Sequence, residues 1–569
     1  MSQTNNPTPW VRVEDAIARI KQAEAKPRKI LILGAGIAGL SAAYELARLK
    51  QGHEIHIVEA SKRIGGRIWT HRFGEKPAKG KVDDRPYHEF GAMRIPECIH
   101  DYTWHYIKEM NLPIREFINF DPEQKCWFDL RGEKFIAPDA NEEFVKLYPQ
   151  MFDWEKQIVK QKGPGELLGH FINPLLAQLE TSDLTWHLVN GEMEHPYLRW
   201  IDSHSLRTFL LEKVEARLLS EDALELIGNS LAIASLWSWS LSAILRDAIT
   251  NRPQGKGRLF EIIGGLDLLP HTMAKRIEEK YPDSVQIHME IEVKAVGLVN
   301  DKPEIELWDR KAEKSVELEY DQVLCTLPFP VMRLMALEGL SESKRAAIQN
   351  MQYSSSTKVL LHCKERFWEQ QGIKGGRSIS DRINRQTYYP SDFTGNEAVE
   401  LPDCEPTIQP LTFWNVNTQS SSVPKALAKE NLQEESREGV LLGSYTWTDN
   451  ARQIGRLKGE TSEHLASAAL SERADLVLQF LERIHKEVAD PDMILDSASM
   501  YWDQYPWTRG AFGATPPGDL SYYYQAGRKP EGNLFFAGEH ISIAPGWIQG
   551  AMESSLAAVA EMLEQSITN

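Results

Sequence analysis

The stretch KILILGAGIAGLSAAYELARLKQGHEIHIVEASKRIGGRIW, residues 29–69, decides the fold. Lys29 to Leu33 is an apolar run of strand length. Gly34, Gly36 and Gly39 follow at the GxGxxG interval, and residues 37–50 then turn to the periodicity of a helix rich in Ala and Leu. The order is strand, tight turn, helix. Gly34 permits the turn, Gly36 leaves room for a pyrophosphate against the backbone, and Gly39 lets the helix pack closely on the strand. Ala35, Ile37 and Ala38 complete the turn and the helix start, whose free N–H groups face an anion. A second strand, residues 54–58, ends in Glu59, twenty residues after Gly39 and followed by Ala60. A carboxylate there accepts hydrogen bonds from both hydroxyls of an adenosine ribose and repels a 2′-phosphate. This constellation predicts a dinucleotide without separating NAD from FAD. Gly65, Gly66 and Arg67 come directly behind it: two residues without side chains, then a guanidinium able to neutralise phosphate or lie near a flavin.

The whole chain narrows the choice of partner. Its 569 residues exceed one ordinary domain, and 42% hydrophobic with 25% charged residues describes a globular protein of two or three domains. Lys plus Arg total 64 against 81 Asp plus Glu, a formal charge of −17, so nucleic acid is not the expected partner. The opening MSQTNNPTPW has neither a basic nor an apolar leader region, and no apolar run approaches a membrane span, so a cytoplasmic protein without membrane contact is expected. Five scattered cysteines without CxxC spacing read as reduced thiols, and no metal motif stands out.

Residues 11–24 read as an amphipathic helical arm laid over the body or over a partner subunit, and a homo-oligomer, dimer or higher, is expected. Residues 73–86 are a polar Gly/Pro loop, and residues 144–250 are helical almost throughout. Residues 285–299 and 304–310 alternate as strands, residues 322–330 look like a buried strand ending at proline, and residues 396–439 read as a surface insertion.

Three distant segments, YHEFGAMRIP (87–96), SSSTKVLLHC (354–363) and NLFFAGEHISIAPGWIQGAMESSLAAVAEML (533–563), stand in a familiar order behind the opening motif. Together they resemble the flavin-containing amine oxidase superfamily, and within it the L-amino-acid oxidase branch, over residues 28 to 565. The resemblance implies an α/β fold: a discontinuous Rossmann-like FAD-binding domain (28–95, 255–325 and 505–569), a largely helical domain (96–254) and a mixed-sheet substrate-binding domain (326–504), behind the arm at 1–27. It implies noncovalent FAD, since no cysteine lies between residues 505 and 569. Gly91, Ala92, Met93, Arg94, Val293, Gly538, Glu539, Trp547 and Ile548 are placed against the cofactor, beside the opening motif and Gly66 and Arg67.

The C-terminal segment also reads physically, as an apolar strand, a turn at Gly538-Glu539 and a small-residue helix from Gly550 whose N-terminus can face a reduced flavin. By resemblance Glu539 bonds the cofactor's ribityl or pyrophosphate region; a helix cap is the plainer role for it. Gly546-Trp547 belongs where flavin and substrate meet, the glycine leaving its carbonyl open to an amine and the tryptophan giving a flat wall. Arg94 sits in an apolar context, and its planar fork matches a carboxylate. In the L-amino-acid oxidase branch this arginine grips the substrate α-carboxylate; the competing reading is an internal Asp or Glu partner. Tyr388 and Tyr389 resemble the tyrosine that adds a second hydrogen bond, and strand alternation allows one of them to face inward. Lys358 matches the lysine that holds a water near flavin N5, with snorkelling to solvent as its alternative.

The resemblance thus implies oxidative deamination of an L-amino acid by hydride transfer from Cα to flavin N5, giving the 2-oxo acid, ammonia and H2O2 with O2 as acceptor. The nearest rival is an amino-acid 2-monooxygenase, which would form an amide and CO2. A monoamine or polyamine oxidase, or a flavoprotein without turnover, stands further off. Side-chain preference among aromatic, aliphatic and basic amino acids is not legible: the excess of acid leaves room for a carboxylate that receives a basic side chain, but bulk charge does not locate one.

Overall fold

The computed structural model describes residues 8–568 apart from 24, 79–82, 121–124, 213–217, 252–256, 393–397, 403–436 and 460–470. Five parallel strands form the first sheet, in the order Val285–Met289, Glu54–Glu59, Lys29–Leu33, Gln322–Cys325 and Leu534–Phe536. Lys29–Leu33 is central and buried beyond its first residue, as a strand covered on both faces must be. Helix Ile37–Arg48 is buried from Ile37 through Ala47 and packs with helices Leu268–Lys280 and Ile548–Thr568. A Cβ on Gly39 would lie 2.1 Å from the Gly34 carbonyl oxygen, so only glycine permits this helix-to-turn approach. Gly34 itself has φ +104.

The second large sheet has seven strands and mixed direction. Ser356–Cys363 runs antiparallel to Gly439–Trp447 and Ile494–Tyr501, and the sheet continues through Gln386–Tyr388, Arg377–Ser380, Trp127–Leu130 and Glu133–Ile136. The hairpin Trp127–Ile136 thus leaves the stretch read as largely helical and joins the sheet. From Ala140 to Thr250 the elements are helical, including Pro164–Thr181, Glu221–Ser230 and Leu241–Thr250. No helix of the described residues is long and apolar enough to cross a membrane.

Several expectations need correction. Residues 285–299 are two strands of different sheets: Val285–Met289 joins the parallel sheet, whereas Ile291–Val299 pairs antiparallel with Lys302–Asp309. Glu290, at φ +63, makes the break, and period-two alternation carries no mark of it. The strand in 322–330 stops at Cys325, and Phe329–Met332 is helical. The C-terminal helix begins at Ile548, two residues before Gly550. Cys126, Cys325 and Cys363 are free, but Cys98 is disulfide-bonded. A single bridge leaves no spacing signature in the chain, so the reading of five reduced thiols fails there. Most of the insertion read at 396–439 lies outside the described residues, while its end, Gly439, opens a strand.

Helix Val13–Gln22 forms as read, and it lies on its own chain. The Val13 N–H and the Trp10 indole both donate to the buried Asp101 carboxylate, at 2.8 and 3.3 Å.

Candidate functional site

One cavity of about 610 Å³ runs from the glycine turn to the seven-stranded sheet. Its nucleotide end is lined by Gly34, Gly36, Ile37, Ala38, Glu59 and Ala60, with Gly66, Arg67 and Val293. A Cβ on Gly36 would meet nothing within 4 Å, so the open space that a pyrophosphate requires is there. Helix Ile37–Arg48 has no side-chain cap, which leaves its first N–H groups to a ligand. Glu59 is oriented by two backbone donors, Ala35 N–H at 3.0 Å and Ser61 N–H at 2.9 Å. Ala35 and Gly39 do not line the cavity; they shape it from behind. These residues fit a dinucleotide.

Gly91, Ala92, Met93, Arg94, Gly538, Glu539, Gly546, Trp547 and Ile548 line the middle of the cavity. Glu539 is held by the protein itself. Its carboxylate accepts from Arg67 Nη1 at 2.5 Å, from Gly513 N–H at 3.1 Å and from Gly546 N–H at 2.6 Å. Arg67 and Glu539, both placed against the cofactor by resemblance and both lining the cavity, also form an ion pair with each other, which fixes the turn carrying Gly546. Trp547 is half-buried and meets His100 edge-on, ring centroids 5.0 Å apart.

At the sheet end, Arg94 Nη1 donates to Asn119 Oδ1 at 2.7 Å and to the Tyr388 hydroxyl at 3.2 Å. Among the described residues no carboxylate bridges it, so the internal-partner reading finds no partner. Strand alternation separates the tyrosines as expected: Tyr388 turns to Arg94, and Tyr389 turns to the opposite face, where Ser378 Oγ and His485 Nε2 lie 2.7 and 2.6 Å from its hydroxyl. Burial alone would push the Tyr388 hydroxyl up, but Arg377 and then Arg94 more than offset this, and its pKa falls below the usual tyrosine value.

Lys358 is 1% exposed, so it does not snorkel. Its Nζ donates to the carbonyls of Glu89 and Gly91 at 3.1 and 2.8 Å, contacts Met93 Sδ at 3.4 Å and lies 4.6 Å from the centre of the Tyr445 ring. Burial lowers its pKa, with Glu89 opposing and Arg94 assisting.

Residue-by-residue reading missed part of this end. Arg377, 7% exposed, lines the cavity and donates to Gln386 Oε1 at 2.6 Å and to the Tyr388 hydroxyl at 2.8 Å. Its Nε and Nη2 have no hydrogen-bond partner among the described residues. Gln386, Tyr445, Trp447 and Asp247 also line the cavity. The usable signal was parity: Gln386 and Tyr388 share one strand face, and Arg377 is the cross-strand partner of Tyr388.

Comparison with known proteins agrees with this geometry. Residues 37–563 match the family described as flavin containing amine oxidoreductase. A flavin-dependent L-tryptophan oxidase from Lentzea aerocolonigenes is 30% identical over 541 residues, 94% of this chain and 97% of that protein. An L-amino-acid oxidase from Demansia vestigiata is 27% identical, covering 97% of this chain and 89% of its own. Solved structures of putrescine oxidase bound to putrescine (TM-score 0.63) and of cyclohexylamine oxidase from Brevibacterium oxydans IH-35A (TM-score 0.61) share the fold. Each is 17% identical to this chain and covers 95% of it and 99% of its own chain. The chain belongs to the flavin-containing amine oxidoreductase family and is a flavin-dependent oxidoreductase.

Proposed function

We propose that the protein is an L-amino-acid oxidase that holds FAD noncovalently and converts an L-amino acid, water and O2 to the 2-oxo acid, ammonia and H2O2. One observation carries this reading: among the described residues Arg94, which faces the cavity, is bonded only to neutral acceptors, one of them the phenol of Tyr388, which leaves a guanidinium free to take a carboxylate. Relatives named for L-amino-acid and L-tryptophan oxidation support it. When bound, the flavin supplies the two-electron acceptor for the Cα hydride and the link to O2. The chain supplies position. Arg94 fixes the α-carboxylate, Tyr388 holds Arg94 from behind the cavity lining, and Trp547 walls the reacting carbon, which is catalysis by proximity.

The test is a peroxide-coupled screen of the twenty L-amino acids on yellow, purified protein, with FAD identified after heat or acid release. Amide and CO2 in place of ammonia and H2O2 would select the monooxygenase instead. Turnover of amines but of no amino acid, or colour that stays with the precipitated chain, would overturn the reading.

Lys358 handles a proton or water in this scheme. Two of its donors are committed to carbonyls; as a neutral amine it keeps a lone pair for the cavity, and as an ammonium it does not. Because burial lowers its pKa, the amine form grows as pH rises through that lowered value, and the step it serves should quicken in the same direction. Lys358→Met is expected to slow hydrolysis or reoxidation more than it weakens substrate binding, and to remove that limb of the pH profile. Rapid-mixing traces with unchanged reoxidation and unchanged turnover would reject the assignment.

A further inference from the structure

The helical elements between residues 140 and 250 form one wall of the cavity, with Leu168, Leu206, Ile233, Leu236 and Ile244 among its lining. In that apolar wall stands one ionisable side chain among the described residues, Asp247, on helix Leu241–Thr250. Asp247 is exposed, and the space it is exposed to is the cavity it lines. No Lys, Arg or His of the described residues forms an ion pair with it. Its partners are neutral. Asn251 Nδ2 donates to Asp247 Oδ1 at 2.6 Å, and the Trp547 indole lies near enough to the carboxylate to lower its pKa.

Asn251 is itself oriented from behind, because His100 Nε2 lies 2.8 Å from Asn251 Oδ1. Burial keeps His100 neutral, its pKa pushed down to about 4, so it brings no charge to Asp247. The amide therefore accepts on one side and donates on the other, which aims the Asp247 carboxylate. Although its exposed atoms face the cavity, Asp247 sits deep within the protein, and the resulting desolvation pushes its pKa up; Asn251, Trp547 and, through space, Arg94 oppose this. A carboxylate oriented this carefully in an apolar wall, yet without a cation, is costly on its own and is relieved by a cationic ligand.

We infer that Asp247 selects L-amino acids whose side chain ends in a cation, a guanidinium or a terminal ammonium, with the aliphatic stem lying on the apolar helical wall. The site then has charge at both ends: Arg94 for the α-carboxylate and Asp247 for the side-chain head. This inference rests on the L-amino-acid oxidase reading and names the substrate class of the same site.

The experiment compares L-arginine with L-citrulline, which has the same length and a neutral head, using peroxide-coupled kinetics on the FAD-replete enzyme. Wild type is expected to prefer L-arginine, with L-lysine also ahead of norleucine. In Asp247→Asn, matched to wild type in flavin absorbance and Tm, the arginine-to-citrulline ratio of kcat/KM is expected to fall about 30- to 1000-fold, the usual consequence of truncating one member of a desolvated charge pair. Wild type that favours neutral amino acids overturns the inference and leaves the oxidase reading intact, and this comparison needs no variant to fold. An equal loss for both substrates in Asp247→Asn also overturns it, since Asp247 would then serve the α-ammonium or the fold. Oxidation of agmatine without oxidation of L-arginine overturns the oxidase reading, and the inference with it.

Discussion

Arg94→Ala is expected to lower kcat/KM for a free L-amino acid by about 30- to 1000-fold while flavin content stays near wild type. The guanidinium lines the cavity, half-buried, with Asn119 and Tyr388 as its only hydrogen-bond partners among the described residues. An α-carboxylate docking there gains a charge-assisted contact in a largely dry site, and removing one partner of such a pair costs about 2 to 4 kcal/mol. At about 1.4 kcal/mol per tenfold, this gives the stated range. The decarboxylated amine of the same substrate has no carboxylate to lose, so it should gain relative to the acid. Arg94→Lys should recover part of the loss, since an ammonium keeps the charge without the fork. Steady-state kinetics of acid and amine on folded, FAD-replete enzyme decide the matter. Equal losses for both would place Arg94 in support of the fold or the flavin and remove the main support for the amino-acid reading.

The two ends of the cavity differ in how far the sequence reveals them. The nucleotide end is local. Gly34, Gly36, Gly39 and Glu59 belong to one strand–helix–strand unit, so their spacing alone sets their geometry, and even Gly39, which touches no ligand space, is legible from the closeness its position demands. The substrate end is assembled by strand register and by distant loops. Arg94 and Tyr388 meet across 294 residues. Family resemblance found Arg94 and the pair Tyr388 and Tyr389 without choosing between them, but Arg377 becomes visible only when its strand pairs with that of Tyr388. Asp247 is an ordinary surface-like acid in its own helix until the rest of the chain closes a cavity over it. The split at Glu290 was hidden for a related reason: alternation reports which faces are buried, and a strand that changes sheet through one left-handed residue keeps alternating.

Arg377 gives the second large effect, and the sign of its stability change separates it from an ordinary core residue. The Tyr388 oxygen accepts from Arg94 and Arg377 and donates to Gln386 Oε1 at 3.3 Å, which uses both lone pairs and the proton. Arg377 therefore positions Tyr388, and burial together with the nearby Arg94 holds its own pKa below the usual arginine range. Arg377→Met removes a hydrogen bond from a charged donor, worth about 1.5 to 3 kcal/mol, so kcat/KM for an L-amino acid should fall about 10- to 150-fold. Two guanidinium nitrogens of Arg377 are buried without a hydrogen-bond partner among the described residues, so the same substitution also relieves a desolvated charge. Tm should hold or rise while activity drops. A positioning role also predicts non-additivity: Arg94→Ala combined with Arg377→Met should lose less than the product of the single losses, because Arg377 acts on the substrate through Tyr388 and Arg94 and has nothing to position once Arg94 is gone. A lower Tm with unchanged kcat/KM, or losses that multiply fully, would show that Arg377 serves the sheet and not the substrate anchor.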